Sequence, residues 1–283
     1  MLQTEYAIAD MTLSGREERP DRPRGIVLAL HGGGYSAGYW DYPAHSLLRL
    51  AAERALLAVA VDRPGYGAAF AHPMPLARQA DVVLDLIDAL IAREGPLPVL
   101  VTGHSMGGIL ALIAAANPRA EALLSAIDVS GVPLRYPAAM QQALSARVLP
   151  DGETHFPPNA PDHCRTLFFG PDGTFDPDAL AFAEELARPV PGAELPDAAN
   201  APRDLPAVMR HIRLPVRMTF AQDEASSIAT PDIAAAARAD LAASRRADVR
   251  FEPATGHNIS LHHAASPFHR GMLDWFDTIL EGK

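Results

Sequence analysis

One cysteine, Cys164, and one lysine, Lys283, are all that a chain of 283 residues holds of these two types. A lone thiol closes no internal disulfide, and without a C-x-x-C pair there is neither a structural zinc site nor a dithiol redox centre. Basic residues are outnumbered, 24 Lys and Arg against 34 Asp and Glu, for a formal net charge of -10. The densest basic run is the pair Arg245-Arg246, too short for the positive patch that a nucleic acid or an anionic membrane surface requires. Long apolar runs are missing as well: the stretch from Gly107 to Ala116 is about half of the ~20 residues that span a bilayer. The opening Met1-Leu2-Gln3-Thr4-Glu5 has neither the basic nor the apolar region of a secretory leader. These deficits predict a cytoplasmic chain that acts on small molecules, with no nucleic-acid or membrane partner; nothing in the residues sets its oligomeric state.

What is present suffices for a core, since 48% of the residues are hydrophobic. Short apolar runs alternate with stretches of helical length, the pattern of a mostly parallel sheet flanked by helices. Strands are predicted at Gly25–Leu30, Leu56–Val61, Leu97–Thr102, Leu123–Val129, Val216–Phe220 and Val249–Glu252, and Thr4–Leu13 supplies one or two more. Their near-continuous apolarity suits strands covered on both faces. Helices are expected at Ala44–Arg54, Leu76–Arg93, Met106–Asn117, Pro231–Ala243 and Pro267–Leu280. In the second of these, Val83, Leu86, Ile87 and Leu90 recur at the spacing of one buried helical face. No internal repeat is visible.

Half of the chain's 26 prolines fall between Pro133 and Pro206, which predicts loops with a few short helices, around Ala138–Arg147 and Asp178–Ala187. Leu167, Phe168, Phe169 and Phe182 lie there and need cover, so the segment reads as a cap and not a linker. The expected organisation is therefore a core of residues 1–132 and 211–283 with a Pro-rich cap or lid insertion at 133–210.

Chemistry concentrates in a few short motifs. Gly103-His104-Ser105-Met106-Gly107 matches G-x-S-x-G between the apolar run LPVLVT and the apolar helix GGILALIAAA. A strand, a sharp turn and a helix present a serine hydroxyl clear of the sheet, at a helix N-terminus that favours developing negative charge; the competing reading is a serine that only caps a helix. Upstream, His31-Gly32-Gly33-Gly34-Tyr35 follows the strand GIVLAL. Consecutive glycines leave backbone N–H groups uncovered, and with the N–H of Met106 they suit an oxyanion hole. Neither phosphate-loop pattern fits this stretch.

A serine needs a base, and the base needs an orienting carboxylate. Of eleven histidines, His257 is favoured because Ala254-Thr255-Gly256-His257-Asn258 is a small-residue loop between the last strand and the last helix. No pair of histidines has the H-E-x-x-H spacing of a metal site. The carboxylate is expected after the strand at Val216–Phe220, where Asp223 and Glu224 are adjacent and only one can face the histidine; Asp128 is a third candidate.

With these pieces in the order serine, acid, histidine, the sequence resembles an α/β-hydrolase-fold serine hydrolase, of esterase or thioesterase type. The resemblance rests on LALHGGG, VAVDRPGYG, VTGHSMGG, RLPVRMTFAQDE and ATGHN, and covers roughly two thirds of the chain. It implies Ser105 as nucleophile, His257 as base, Glu224 rather than Asp223 as the acid, and Gly33 and Met106 as oxyanion donors, with no cofactor and no metal. In VAVDRPGYG it gives Asp62 and the glycines a structural part. Cleavage of a carboxylic ester or thioester of a small soluble substrate through an acyl-enzyme is the activity it implies. Lactone or C–C bond cleavage, a lyase or cyclase, and a catalytically silent ligand-binding member keep the same motifs. Phe168, Phe169, Phe182 and Met140 are candidates for lining an acyl pocket.

Overall fold

The computed structural model describes residues 2–149 and 154–282. Its strands are β1 (Leu2–Ile8), β2 (Met11–Glu18), β3 (Gly25–Leu30), β4 (Leu56–Val61), β5 (Val99–His104), β6 (Ala126–Ser130), β7 (His155–Phe156), β8 (Val190–Pro191), β9 (Val216–Ala221) and β10 (Ala247–Glu252). All but β7 and β8 form one sheet of order β1-β2-β4-β3-β5-β6-β9-β10. From β4 to β10 the pairs are parallel, and the β1–β2 hairpin adds an antiparallel edge through β2 on β4. The helices are α1 (Leu47–Ala52), α2 (Leu76–Glu94), α3 (Met106–Ala116), α4 (Ala120–Leu123) and α5 (Ala138–Ser145), followed by α6 (Pro161–Phe168), α7 (Pro177–Leu186), α8 (Leu195–Met209), α9 (Pro231–Asp240) and α10 (Ala265–Glu281).

Strand periodicity explains the layering. Ile26, Leu28 and Leu30 of β3 join one apolar cluster with α2, α3, α8 and α9, while Val27 and Ala29 join a second with α1, α7 and α10. Successive side chains of a strand point to opposite faces, so a strand sandwiched between two helical layers must be apolar at every position. The predicted face of α2 is realised: Val83, Leu86, Ile87 and Leu90 are all buried. A charge also sits inside the sheet. Asp128 of β6 meets Arg217 of β9 at 2.7 Å with both side chains out of solvent, and Thr102 of β5 donates to the other Asp128 oxygen at 2.9 Å. Asp128 is thereby committed to Arg217 and is not the acid that faces His257.

Several boundaries differ from expectation for local reasons. The strand predicted from Leu97 begins at Val99 and continues through Gly103 to His104, because Pro98 has no N–H for the ladder. The run from Leu123 closes α4 before β6 begins at Ala126. Between β6 and β9 the largest departure is α8, 15 residues with Pro202 and Pro206 inside it. An internal proline removes the N–H that its carbonyl four residues earlier would accept. For Pro202 that carbonyl is Ala198, and the Tyr136 hydroxyl donates to it at 3.0 Å. A side chain from outside the helix thus supplies the missing donor, which composition alone does not reveal.

Candidate active site

β5 ends at His104, Ser105 turns the chain with φ 53 and ψ -117, and α3 starts at Met106. A positive φ on a non-glycine residue stores strain that only a well-packed surrounding sustains. The two flanking glycines create the space: a Cβ at Gly103 would lie 2.2 Å from the Gly107 carbonyl oxygen, and one at Gly107 would lie 2.2 Å from that of Leu30. Backbone contact that close admits no side chain. The Ser105 hydroxyl caps no amide of α3, which removes the reading of Ser105 as a helix cap.

His257 and Glu224, 33 residues apart, are in direct contact. His257 Nδ1 lies 2.8 Å from Glu224 Oε2, with the two side chains 7% and 2% exposed. The other carboxylate oxygen, Oε1, is taken up by the Ser226 backbone N–H at 2.8 Å, the Ser226 hydroxyl at 2.7 Å and the Ser227 N–H at 3.3 Å. Burial pushes the Glu224 carboxyl up, but the His257 charge and the hydrogen bonds from His257 and Ser226 outweigh it and hold the group below its ordinary range. Its neighbour Asp223 pairs its backbone N–H with Thr255 O at 2.9 Å, and among the described residues it makes no hydrogen bond to His257.

His262 fixes the loop that carries His257. It accepts the N–H of Gly256 at 3.0 Å and of Gly170 at 2.9 Å on Nε2, while Nδ1 pairs with Asn258 O at 2.8 Å. Accepting on Nε2 requires the neutral ring, and burial drives its pKa down to about 4.

The glycine loop lies alongside the turn. A Cβ on Gly32 would come within 3.2 Å of Ser105 Cβ, and one on Gly33 would meet Met106 Sδ at 2.3 Å. Among the described residues no acceptor receives the N–H of Gly33 or of Met106. The ring of His104, next to Ser105, sits 4.7 Å from that of His257, centroid to centroid. Ser105, Gly33 and Met106 are therefore brought together, and His257 and Glu224 are brought together beside them; no hydrogen bond yet joins the Ser105 hydroxyl to His257 among the described residues.

Of the expected aromatic lining, Phe168 reaches the site, its ring 5.3 Å from that of His257. Phe169 instead packs on Phe175 and His262, and Phe182 on Tyr42. Met140 lies on α5 and is half-buried. Asp62 is structural as expected, accepting from the Ser14 hydroxyl and the Ala37 N–H at 2.7 Å each. Sequence reading missed Ser226, whose only signal is its place two residues after Glu224, and also Tyr66 and Glu194, which meet beside the glycine loop. Among the described residues no cluster of His, Cys, Asp or Glu is arranged to hold a metal ion, and no helix is long and apolar enough to cross a membrane.

The sequence model of the alpha/beta hydrolase family matches residues 26–270. The chain belongs to the alpha/beta hydrolase family. Monoglyceride lipase of Rattus norvegicus is 32% identical over 98 residues, a match that spans 34% of this chain and 31% of that protein. A highly thermostable carboxyl esterase from Bacillus coagulans superposes with a TM-score of 0.76 at 15% identity, covering 98% of each chain. A thermophilic esterase from Thermogutta terrifontis gives 0.72 at 16% identity over 99% of each. At such identities the hydrolase likeness is one of fold, and this family's mostly parallel sheet is the one described above.

Proposed function

We propose that this alpha/beta hydrolase cleaves a carboxylic ester or thioester of a small soluble substrate through an acyl-enzyme on Ser105. The observation that carries the reading is the His257–Glu224 pair beside a serine held at positive φ. His257 Nε2 takes the Ser105 proton as Oγ attacks the acyl carbon; bonds of this kind are often long before substrate binds and tighten in the complex. The carbonyl oxygen becomes an oxyanion received by the N–H groups of Gly33 and Met106, each such donor being worth about 3–4 kcal/mol. Collapse of the tetrahedral adduct breaks the bond to the leaving group, which takes the proton from His257. Water then gives its proton to His257, attacks the acyl carbon and releases the acid, and Ser105 recovers its proton. Glu224 keeps the imidazole in the tautomer with hydrogen on Nδ1 and stabilises its cation. No cofactor enters these steps. Residues 133–210 act as the cap, with Phe168 at its inner edge against His257. The ester-hydrolysing relatives named above support the substrate class.

A fluorophosphonate probe and a panel of p-nitrophenyl esters and acyl thioesters test this. Stoichiometric labelling and turnover, both lost in Ser105→Ala, are expected. Labelling without turnover of any ester or thioester would move the chain to a lyase or another non-ester reaction, and absence of labelling would make it a binding member.

A further inference from the structure

Gly34 is held from two sides by the segment Arg188–Glu194. Its carbonyl accepts the Arg188 N–H at 2.8 Å, and Val190 packs where a Cβ would stand, 3.2 Å away, at a φ of +76. The Gly34 N–H donates to the Tyr66 hydroxyl at 3.0 Å, and that hydroxyl donates onward to Glu194 Oε1 at 2.6 Å. Glu194 is anchored in turn: Arg63, fully buried like it, reaches Oε2 at 2.6 Å, and Gln79 lies 3.3 Å from the same oxygen. Arg63 closes the circuit on the start of the loop, donating from Nε to His31 O at 2.9 Å and from its backbone N–H to His31 Nε2 at 3.1 Å.

The circuit meets the glycine loop at His31 and at Gly34, on either side of Gly33, and none of its bonds is made by the Gly33 N–H. Burying an arginine and a glutamate is costly unless both are fully bonded, and replacing such a pair with apolar residues is often neutral or stabilising. A circuit of this kind need not add net stability, and what this one fixes is the path of the glycine loop. Burial and the neighbouring Glu194 charge push the Tyr66 phenol well above its usual range, so it stays a donor to Glu194 while accepting from Gly34.

We infer that Tyr66 and Glu194 are positioning residues for the oxyanion loop, holding Gly34 so that the adjacent Gly33 N–H faces the acyl oxygen on Ser105. The inference rests on the acyl-enzyme reading above and adds to it a requirement that the inserted segment complete the site.

Steady-state kinetics on p-nitrophenyl acetate with wild type, Ser105→Ala, Tyr66→Phe and Glu194→Asp, alongside thermal midpoints, test it. Tyr66→Phe deletes only the hydroxyl; Glu194→Asp keeps the charge that Arg63 needs but withdraws the acceptor, so it guards against a phenylalanine variant that fails to fold. A donor that strengthens only in the transition state changes kcat and leaves substrate binding alone. We expect kcat to fall about 10- to 100-fold in Tyr66→Phe and at least about fivefold in Glu194→Asp, with KM within about twofold. If Ser105→Ala abolishes wild-type turnover while every folded variant keeps kcat within about twofold, whatever its thermal midpoint, this inference falls and the acyl-enzyme reading stands. Wild-type protein with no ester turnover removes both.

Discussion

Glu224 meets His257 through Oε2 and Nδ1 at 2.8 Å, while its second oxygen is already filled by Ser226 and Ser227. A carboxylate so saturated has one free direction, toward the imidazole. Among the described residues Asp223, one residue earlier, makes no such contact. Neutralising the acid of a serine triad leaves the wrong histidine tautomer and costs about 10⁴ in kcat. Glu224→Gln is accordingly expected to lower kcat on p-nitrophenyl acetate by about 10³- to 10⁴-fold, and Asp223→Asn by less than about threefold. The reverse pattern would reassign the acid.

Acid should destabilise the chain through its buried histidines. Burial lowers the His262 pKa to about 4 and the His269 pKa to about 3, and holds His31 and His104 well below 6.5. The unfolded chain binds protons at these rings as pH drops below about 6.5 while the folded chain does not, so stability falls with pH across that window. His262 alone accounts for a loss on the order of 3 kcal/mol by the time pH reaches its folded pKa. Urea midpoints measured from pH 7.5 to 4.5 should change little down to about pH 6.5 and decline below it, and His262→Gln, which cannot titrate, should have a shallower decline. Parallel curves for the two proteins would show that His262 takes no part.

Asp128 illustrates an acid whose work is structural. Its partner Arg217 is completely buried and lies 4.9 Å from the centre of the Phe268 ring. Removing one member of a buried pair strands the other and costs about 3–5 kcal/mol. Asp128→Ala should lose about that much in chemical denaturation, yet the folded fraction should react with fluorophosphonate at the wild-type rate. A folded variant that no longer labels would give Asp128 a part in the chemistry.

How far the residues alone reach can be seen strand by strand. β3 and β4 coincide with the apolar runs Gly25–Leu30 and Leu56–Val61 to the residue, because both faces are covered and no polar position blurs the ends. The serine turn is equally legible, since its glycines, its serine and the apolar runs on either side all lie in one short stretch of sequence, although the contact that demands Gly107 comes from Leu30 on the neighbouring strand. The pairing of Arg63 with Glu194 is not, because 131 positions separate them and no periodicity links a loop after β4 to a turn before α8. Position after β9 already favoured Glu224 over Asp223, and the loop's hydrogen bonds add that Glu224 is the one in contact with His257. α8 was obscured by its prolines, which are ordinarily read as breaks.

Those prolines lead to a test that separates sequence propensity from tertiary repair. Tyr136 donates to Ala198 O in place of the N–H that Pro202 lacks, and Tyr136 is half-buried while Ala198 is buried. Tyr136→Phe leaves that carbonyl without a donor, at a cost of about 1–3 kcal/mol. Pro202→Ala returns a backbone N–H at the correct spacing, so in that background the carbonyl is satisfied without the hydroxyl and Tyr136→Phe should cost less than about 0.5 kcal/mol. Urea denaturation of the four proteins of this cycle gives the coupling directly. If Tyr136→Phe costs the same in both backgrounds, the hydroxyl is not the substitute donor, and the helix must tolerate Pro202 by some other contact.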